Sequence, residues 1–185
     1  MGPLILSLCD YSGAWSQPYV DAGYEVRRVD IKNGEDVRLL VHLGEPVHGI
    51  LAAPPCDHFA LSGARWWQSK GEAALTEGLS VVDAYLRIVA THRPVWWALE
   101  NPVGRLRRWL GPPAWSFNPC DFGDPYTKRT LLWGCFTPPH PLYSEQSRKP
   151  VAATLGSKMH TMVRDKAKRS ETPGGFARAF FEANP

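Results

Sequence analysis

Four short β-type runs in the first hundred residues, three of them apolar, each end in or lead into an acid or a thiol, and this repetition constrains the fold more than any other feature. Leu4-Ile5-Leu6-Ser7-Leu8-Cys9 leads into Asp10. Glu25 to Asp30 ends in its own acid, and His48 to Ala52 is followed by Pro54-Pro55-Cys56. Val95-Trp96-Trp97-Ala98-Leu99 ends at Glu100. Runs of this length read as buried strands. Helical segments fall between them: residues 16–22, and a long stretch from Glu72 to Ala90. In the latter Leu75, Leu79, Val82, Leu86 and Val89 recur at helical spacing, with Ser69 and Glu72 fitting a capping box at its start and Pro94 stopping it. Strands alternating with helices predict an α/β domain whose sheet is mostly parallel and flanked by helices. In such open sheets ligands bind beyond the carboxyl ends of the strands, so Asp10, Asp30, Cys56 and Glu100 are expected on one rim.

Beyond residue 100 the chain is rich in proline until Thr130 to Phe136, which reads as a late strand. Thr172-Pro173 is expected to cap a closing helix through Phe180-Phe181. A chain of 185 residues holds one well-cored domain, so residues 1–185 are read as a single unit. No apolar run approaches the roughly 20 residues that span a bilayer. Met1-Gly2-Pro3-Leu4 carries no basic leader, and a cytoplasmic location is expected. Cys9, Cys56, Cys120 and Cys135 lie far apart without a C-x-x-C pair, so neither a metal site nor a disulfide framework is expected.

Charge is distributed unevenly. Residues 1–100 hold 8 basic against 12 acidic side chains, and residues 101–185 hold 13 against 6. The densest basic stretch, 148–169, includes Lys158, Arg164, Lys166 and Lys168. It suits a polyanion, or reads as a solvated surface loop.

The diproline before Cys56 fixes the backbone and aims the thiol. A free thiol is only a few per cent ionised at neutral pH, so a nucleophilic role needs a cation or a helix N-terminus nearby. Glu100 follows a strand containing Trp96 and Trp97, and desolvation there favours its protonated form. Taken singly, the cysteine also reads as a packing residue and the glutamate as a solvated strand-end acid. Together they form a working pair: an acid to protonate a ring nitrogen while sulfur adds to carbon.

With these residues in hand the chain resembles the cytosine C5-specific DNA methyltransferases. Tyr11-Ser12-Gly13, Pro54-Pro55-Cys56 and Glu100-Asn101-Pro102 look like that family's first, fourth and sixth motifs, in the same order. Asp30, with Ile31 beside it, resembles the acid that holds the cofactor ribose. Asp36-Val37 resembles the pair beside the adenine, Arg129 the second arginine of the Q-x-R-x-R motif, and Thr172-Pro173 the last motif, which returns to the cofactor. The resemblance implies a Rossmann-like fold and S-adenosyl-L-methionine as cofactor, held by Asp10, Tyr11, Ser12, Gly13, Asp30, Ile31, Asp36, Val37, Pro54 and Thr172. It implies Cys56, Glu100 and Arg129 as catalytic residues and DNA as partner, with the target base flipped from the stack. Arg65 and the basic residues Lys158, Arg164, Lys166 and Lys168 would contact phosphates, and Trp66 or Trp67 would fill the vacated stack or simply be buried.

Three departures carry expectations of their own. Gly13-Ala14-Trp15 stands where the family has more glycines, so Trp15 is expected to crowd the cofactor approach. Asp57 beside Cys56 disfavours a thiolate, with His58 or Arg129 as the offsetting group. Pro125 and Thr127 occupy the first two key positions of the arginine motif, leaving Arg129 alone. The basic insert at 136–169 is too short for a separate target-recognition domain. Low sequence specificity, a helper subunit or a smaller substrate would follow, as in the compact bacteriophage and prophage methylases it resembles. Modification of free cytidine nucleotides and a non-catalytic DNA-binding scaffold stay open as alternatives.

Overall fold

A computed structural model describes residues 2–143 and 166–185 of the chain. Most of the basic insert, with Lys158 and Arg164, lies outside the described residues. The strands are β1 (Leu4–Leu8), β2 (Glu25–Val29), β3 (Gly49–Ala52), β4 (Trp96–Pro102), β5 (Trp115–Phe117) and β6 (Thr130–Cys135). The helices are α1 (Gln17–Asp21), α2 (Trp67–His92), α3 (Arg107–Leu110), α4 (Lys166–Ser170) and α5 (Gly174–Ala183). One six-stranded sheet has the order β2-β1-β3-β4-β6-β5. The first four strands are parallel, and β6 and β5 run antiparallel at one edge. The mostly parallel α/β sheet flanked by helices is the architecture expected.

Period-two alternation explains how the sheet is covered. Leu4, Leu6, Leu8, Ile50, Ala52, Leu99 and Trp133 face one side, against Val82, Tyr85 and Ile88 of α2. Ile5, Leu51, Ala98 and Leu132 face the other, against Tyr19 of α1 and Phe176 and Phe180 of α5. Both faces are apolar over the central strands, so β1 and β3 are buried along their whole length, whereas β2 at the edge is charged and partly exposed. Burying each large side chain contributes about 1.5–3 kcal/mol relative to leaving it exposed. Leu75, Leu79, Leu86 and Val89 pack against the same α2-side core.

The chain leaves β1 to one side for β2 and returns to the other side for β3, which makes the β1–β3 boundary a topological switch point. Ligand sites of such sheets form beyond the strand ends at such a point, and here the segments carrying Asp10 and Cys56 leave the sheet on its two sides.

Three local expectations are corrected. Gly71 takes φ +72° and breaks the helical path at the start of α2. Ser69 Oγ instead donates to the Trp66 carbonyl at 3.0 Å, so no capping box with Glu72 forms. Pro173, not Thr172, is the N-cap of α5, and it offers no side-chain cap. Strand β5 lies inside the stretch read as loop; three residues are too short for a periodic signal, and it is held by pairing with β6.

Candidate active site

The two segments of the thiol–acid pair are physically joined. Cys56 opens a single 3-10 turn, Cys56–His58, immediately after the diproline. Its carbonyl accepts from the Phe59 and Ala60 N–H groups at 2.9 and 2.8 Å. On β4, Asn101 is fully buried and its Nδ2 donates to the Pro54 carbonyl at 3.0 Å. The Glu-Asn-Pro strand end thereby clamps the Pro-Pro-Cys turn, and Cys56 and Glu100 come within electrostatic range of each other.

Burial pushes the Cys56 thiol up, and the negative charges of Glu100 and Asp57 add to it. Lys128 acts in the opposite sense, favouring the thiolate. Burial also pushes Glu100 up, while Lys128 and a hydrogen bond from Thr130 pull it back. One ammonium therefore acts on both members of the pair. Lys128 Nζ is itself anchored on the Arg169 carbonyl at 3.1 Å.

This cation was not among the expected offsets. Arg129 is exposed, and its carbonyl accepts from the Val103 N–H at 3.2 Å. Alternation explains the difference: Glu100 lies opposite Leu132 across the β4–β6 ladder, so Leu132, Thr130 and, by continuation, Lys128 share its face. Arg129 falls on the other. His58 does not supply a charge either, since burial and the nearby Lys70 lower its pKa. The pairing register would have been needed to choose Lys128 from the Lys-Arg-Thr run, and a sequence does not contain it.

The segment after β1 is a self-bonded loop. The Asp10 carboxylate is buried and accepts from Ser7 Oγ at 2.9 Å, Ser16 Oγ at 3.0 Å, the Ser16 N–H at 3.3 Å and Ser12 Oγ at 3.4 Å. Asp10 thus organises the loop through its own neighbours. Gly13 sits at φ +71° with its N–H donating to the Asp10 carbonyl. The Arg28 guanidinium lies where a Gly13 Cβ would project. Trp15 does not crowd this approach. It is fully buried and turned inward, its ring 5.9 Å from Phe176 and 5.5 Å from Phe180; the apolar indole follows the core, and the expected obstruction is absent.

Beside the loop, Asp30 ends β2 and accepts from the Lys32 N–H at 2.8 Å. Asp30 and Asp36 both act on Cys9, whose thiol is pushed up to about 12, chiefly by burial, so the three lie together at the β1–β2 ends. Tyr11 and Ile31 are exposed there, with Lys32 Nζ 4.8 Å above the Tyr11 ring. A carboxylate for a diol and apolar surface for a flat heterocycle fit an adenosyl group. Asp36 is engaged differently: Arg38 holds both its oxygens, with contacts of 2.6 to 2.9 Å, and lowers its pKa. Val37 is core, and Pro54 and Thr172 are buried.

Of the expected phosphate contacts, Arg65 is exposed and lies 5.1 Å over the half-exposed Trp66 ring. Lys168 is exposed on α4, which begins at Lys166. Neither is brought to the Cys56–Glu100 pair by any contact. Among the described residues no cluster of His, Cys, Asp or Glu could hold a metal ion, and no helix is long and apolar enough to cross a membrane.

No protein-family model matches this chain, and no curated protein does. A solved structure from E. coli, provisionally named a DNA modification methyltransferase encoded within a prophage, is similar to it with a TM-score of 0.50 and 18% identity. The similarity covers 72% of this chain and 47% of that one, so the chain spans about half the length of this relative. What the two share is the fold. That fold is a mostly parallel α/β sheet flanked by helices, and Cys56 and Glu100 lie at the carboxyl ends of its strands.

Proposed function

We propose that this chain methylates cytosine at C5 in DNA, with Cys56 as nucleophile and Glu100 as acid. The observation that carries the reading is the Cys56–Glu100 pair: a thiol and a burial-shifted carboxyl, fastened by the Asn101–Pro54 bond and sharing the Lys128 cation. A carboxyl kept neutral donates its proton to N3 of the base. This makes C6 electrophilic, and the Cys56 sulfur adds there as thiolate. Lys128 favours that ionised form without occupying the space of the base. S-adenosyl-L-methionine supplies the electrophilic methyl group for C5; Asp30 would hold its ribose and Ile31 and Tyr11 its adenine. Loss of the C5 proton to water then expels Cys56 as thiolate, and N3 returns its proton to Glu100, which restores the ring. Closure by the Pro54 and Asn101 segments keeps the thiol aimed throughout.

The direct test supplies labelled S-adenosyl-L-methionine with unmethylated duplex DNA and, separately, with dCMP, followed by nucleoside mass spectrometry. Label at C5 of cytosine in DNA is expected, lost in Cys56→Ser while cofactor binding by calorimetry persists. Label on dCMP alone would move the substrate to free nucleotides. Undiminished transfer by Cys56→Ser would remove Cys56 from the chemistry.

A further inference from the structure

The two segments that leave the rim strands run side by side, and the groove they enclose is basic. One continues from Cys56 through the 3-10 turn Leu61–Trp66 into α2; the other runs from Pro102 into α3. The Leu61 N–H donates to the Val103 carbonyl and the Arg105 N–H to the Phe59 carbonyl, both at 2.9 Å, and Ala60 pairs with Gly104 as an antiparallel bridge. Arg105 adds a side-chain tie: its Nε donates to the His58 carbonyl at 2.7 Å, and its guanidinium lies 4.5 Å over the Trp67 ring. A groove of about 380 Å³ follows this seam, with Leu61, Trp67, Arg105, Arg107 and Arg108 in its lining.

Its charge is uncompensated. The ion pairs among the described residues engage Arg27 and Arg38, with Glu35, Asp36 and Glu77; none reaches Arg105, Arg107 or Arg108. Arg107 and Arg108 are exposed, and Arg108 is close enough to Arg105 to repel it. Three guanidiniums gathered without an ion-paired carboxylate among the described residues raise the free energy of the fold, and a polyanion laid along them offsets that cost.

We infer that this groove holds the phosphate backbone of a polynucleotide next to the target base, with Arg107 and Arg108 on phosphate oxygens and the Arg105–Trp67 stack as a fixed wall. The inference rests on the reading of Cys56 and Glu100 as base-modifying residues and extends it to their substrate: the successive phosphates of a strand match several guanidiniums gathered along one groove. Both walls are direct continuations of the segments carrying Cys56 and Glu100, so a strand held there lies beside the reacting base. Arginine forks suit phosphate geometry, and phosphate contacts position a strand without reading its sequence.

The test uses the full chain and fluorescein-labelled duplex DNA of unrelated sequences, measuring anisotropy from about 50 to 200 mM NaCl. Wild type is compared with Arg107→Gln/Arg108→Gln and with the charge-preserving Arg107→Lys/Arg108→Lys. The glutamine pair is expected to flatten the salt slope by about 2 and weaken binding roughly tenfold for every sequence, while the lysine pair keeps the slope. Wild-type slope in the glutamine pair, or no DNA retention by the wild type, overturns the inference. Methyl transfer is followed in the same samples. Loss of slope without transfer by the wild type supports the groove and removes the catalytic reading; transfer with an unaltered slope does the reverse.

Discussion

A thiol raised by burial is a poor nucleophile at neutral pH, and the group that draws Cys56 back toward ionisation is Lys128. Lys128→Met removes that cation and raises the Cys56 pKa further. Alkylation of Cys56 by iodoacetamide, mapped by peptide mass spectrometry to separate it from Cys9, Cys120 and Cys135, is expected to slow about three- to tenfold at neutral pH. The rising limb of its pH profile moves to higher pH; an unchanged profile excludes the role. Glu100 gives a second pH signature. Burial raises its folded pKa above the ordinary 4.5, so its contribution to stability is complete below the unfolded value and is lost as pH rises through the folded one. Glu100→Gln escapes that loss. Its Tm should match wild type at acid pH and exceed it at pH 7, while turnover falls by about 10²–10⁴-fold. A variant that is less stable at pH 7 and equal at acid pH would contradict the assignment of burial as the cause.

At the scale of elements, the site depends on how β3 and β4 end rather than on the strands themselves. Gly104 lets the segment after β4 lie directly on the Phe59 carbonyl, and a Cβ there would collide with backbone. Gly104→Ala is therefore expected to destabilise the fold by about 1–3 kcal/mol, read as a shift in urea midpoint, and to lower methyl transfer more than the stability loss explains. A wild-type midpoint would show that the seam yields freely. Much of this arrangement is legible in the sequence: apolar runs locate β1, β3 and β4, alternation of valine with charged residues marks β2, and their polar ends locate Asp10, Asp30, Cys56 and Glu100 because strand ends in a parallel sheet face one way. What is not legible depends on register and packing. The choice of Lys128 over Arg129 follows from the β4–β6 pairing, the Arg105 tie from two loops 47 residues apart meeting, and the inward turn of Trp15 from a helix far along the chain.

At the scale of the molecule, the two faces of the sheet are covered unequally. Helix α2 alone supplies most of one cover, whereas the other is an aromatic cluster assembled from distant parts of the chain. Phe176 stacks on Phe117 at 3.9 Å and touches Trp15 and Phe122. Phe176→Ala is expected to cost about 3–5 kcal/mol and, on the proposed function, to weaken S-adenosyl-L-methionine binding before it affects Cys56 alkylation, since Trp15 anchors the loop after β1 on Phe176. Equal loss of both would place the effect on global unfolding, measured by thermal melting alongside calorimetry.

The same cluster sets an order for synthesis. Trp15 leaves the ribosome well before the rings it packs against, Phe176 and Phe180. Strands β1 to β4 and α2 can pair as they appear, since nascent chains acquire structure from the N-terminal end. The loop after β1 has to wait for α5. The turn carrying Cys56 can therefore form before the loop after β1 gains its aromatic support.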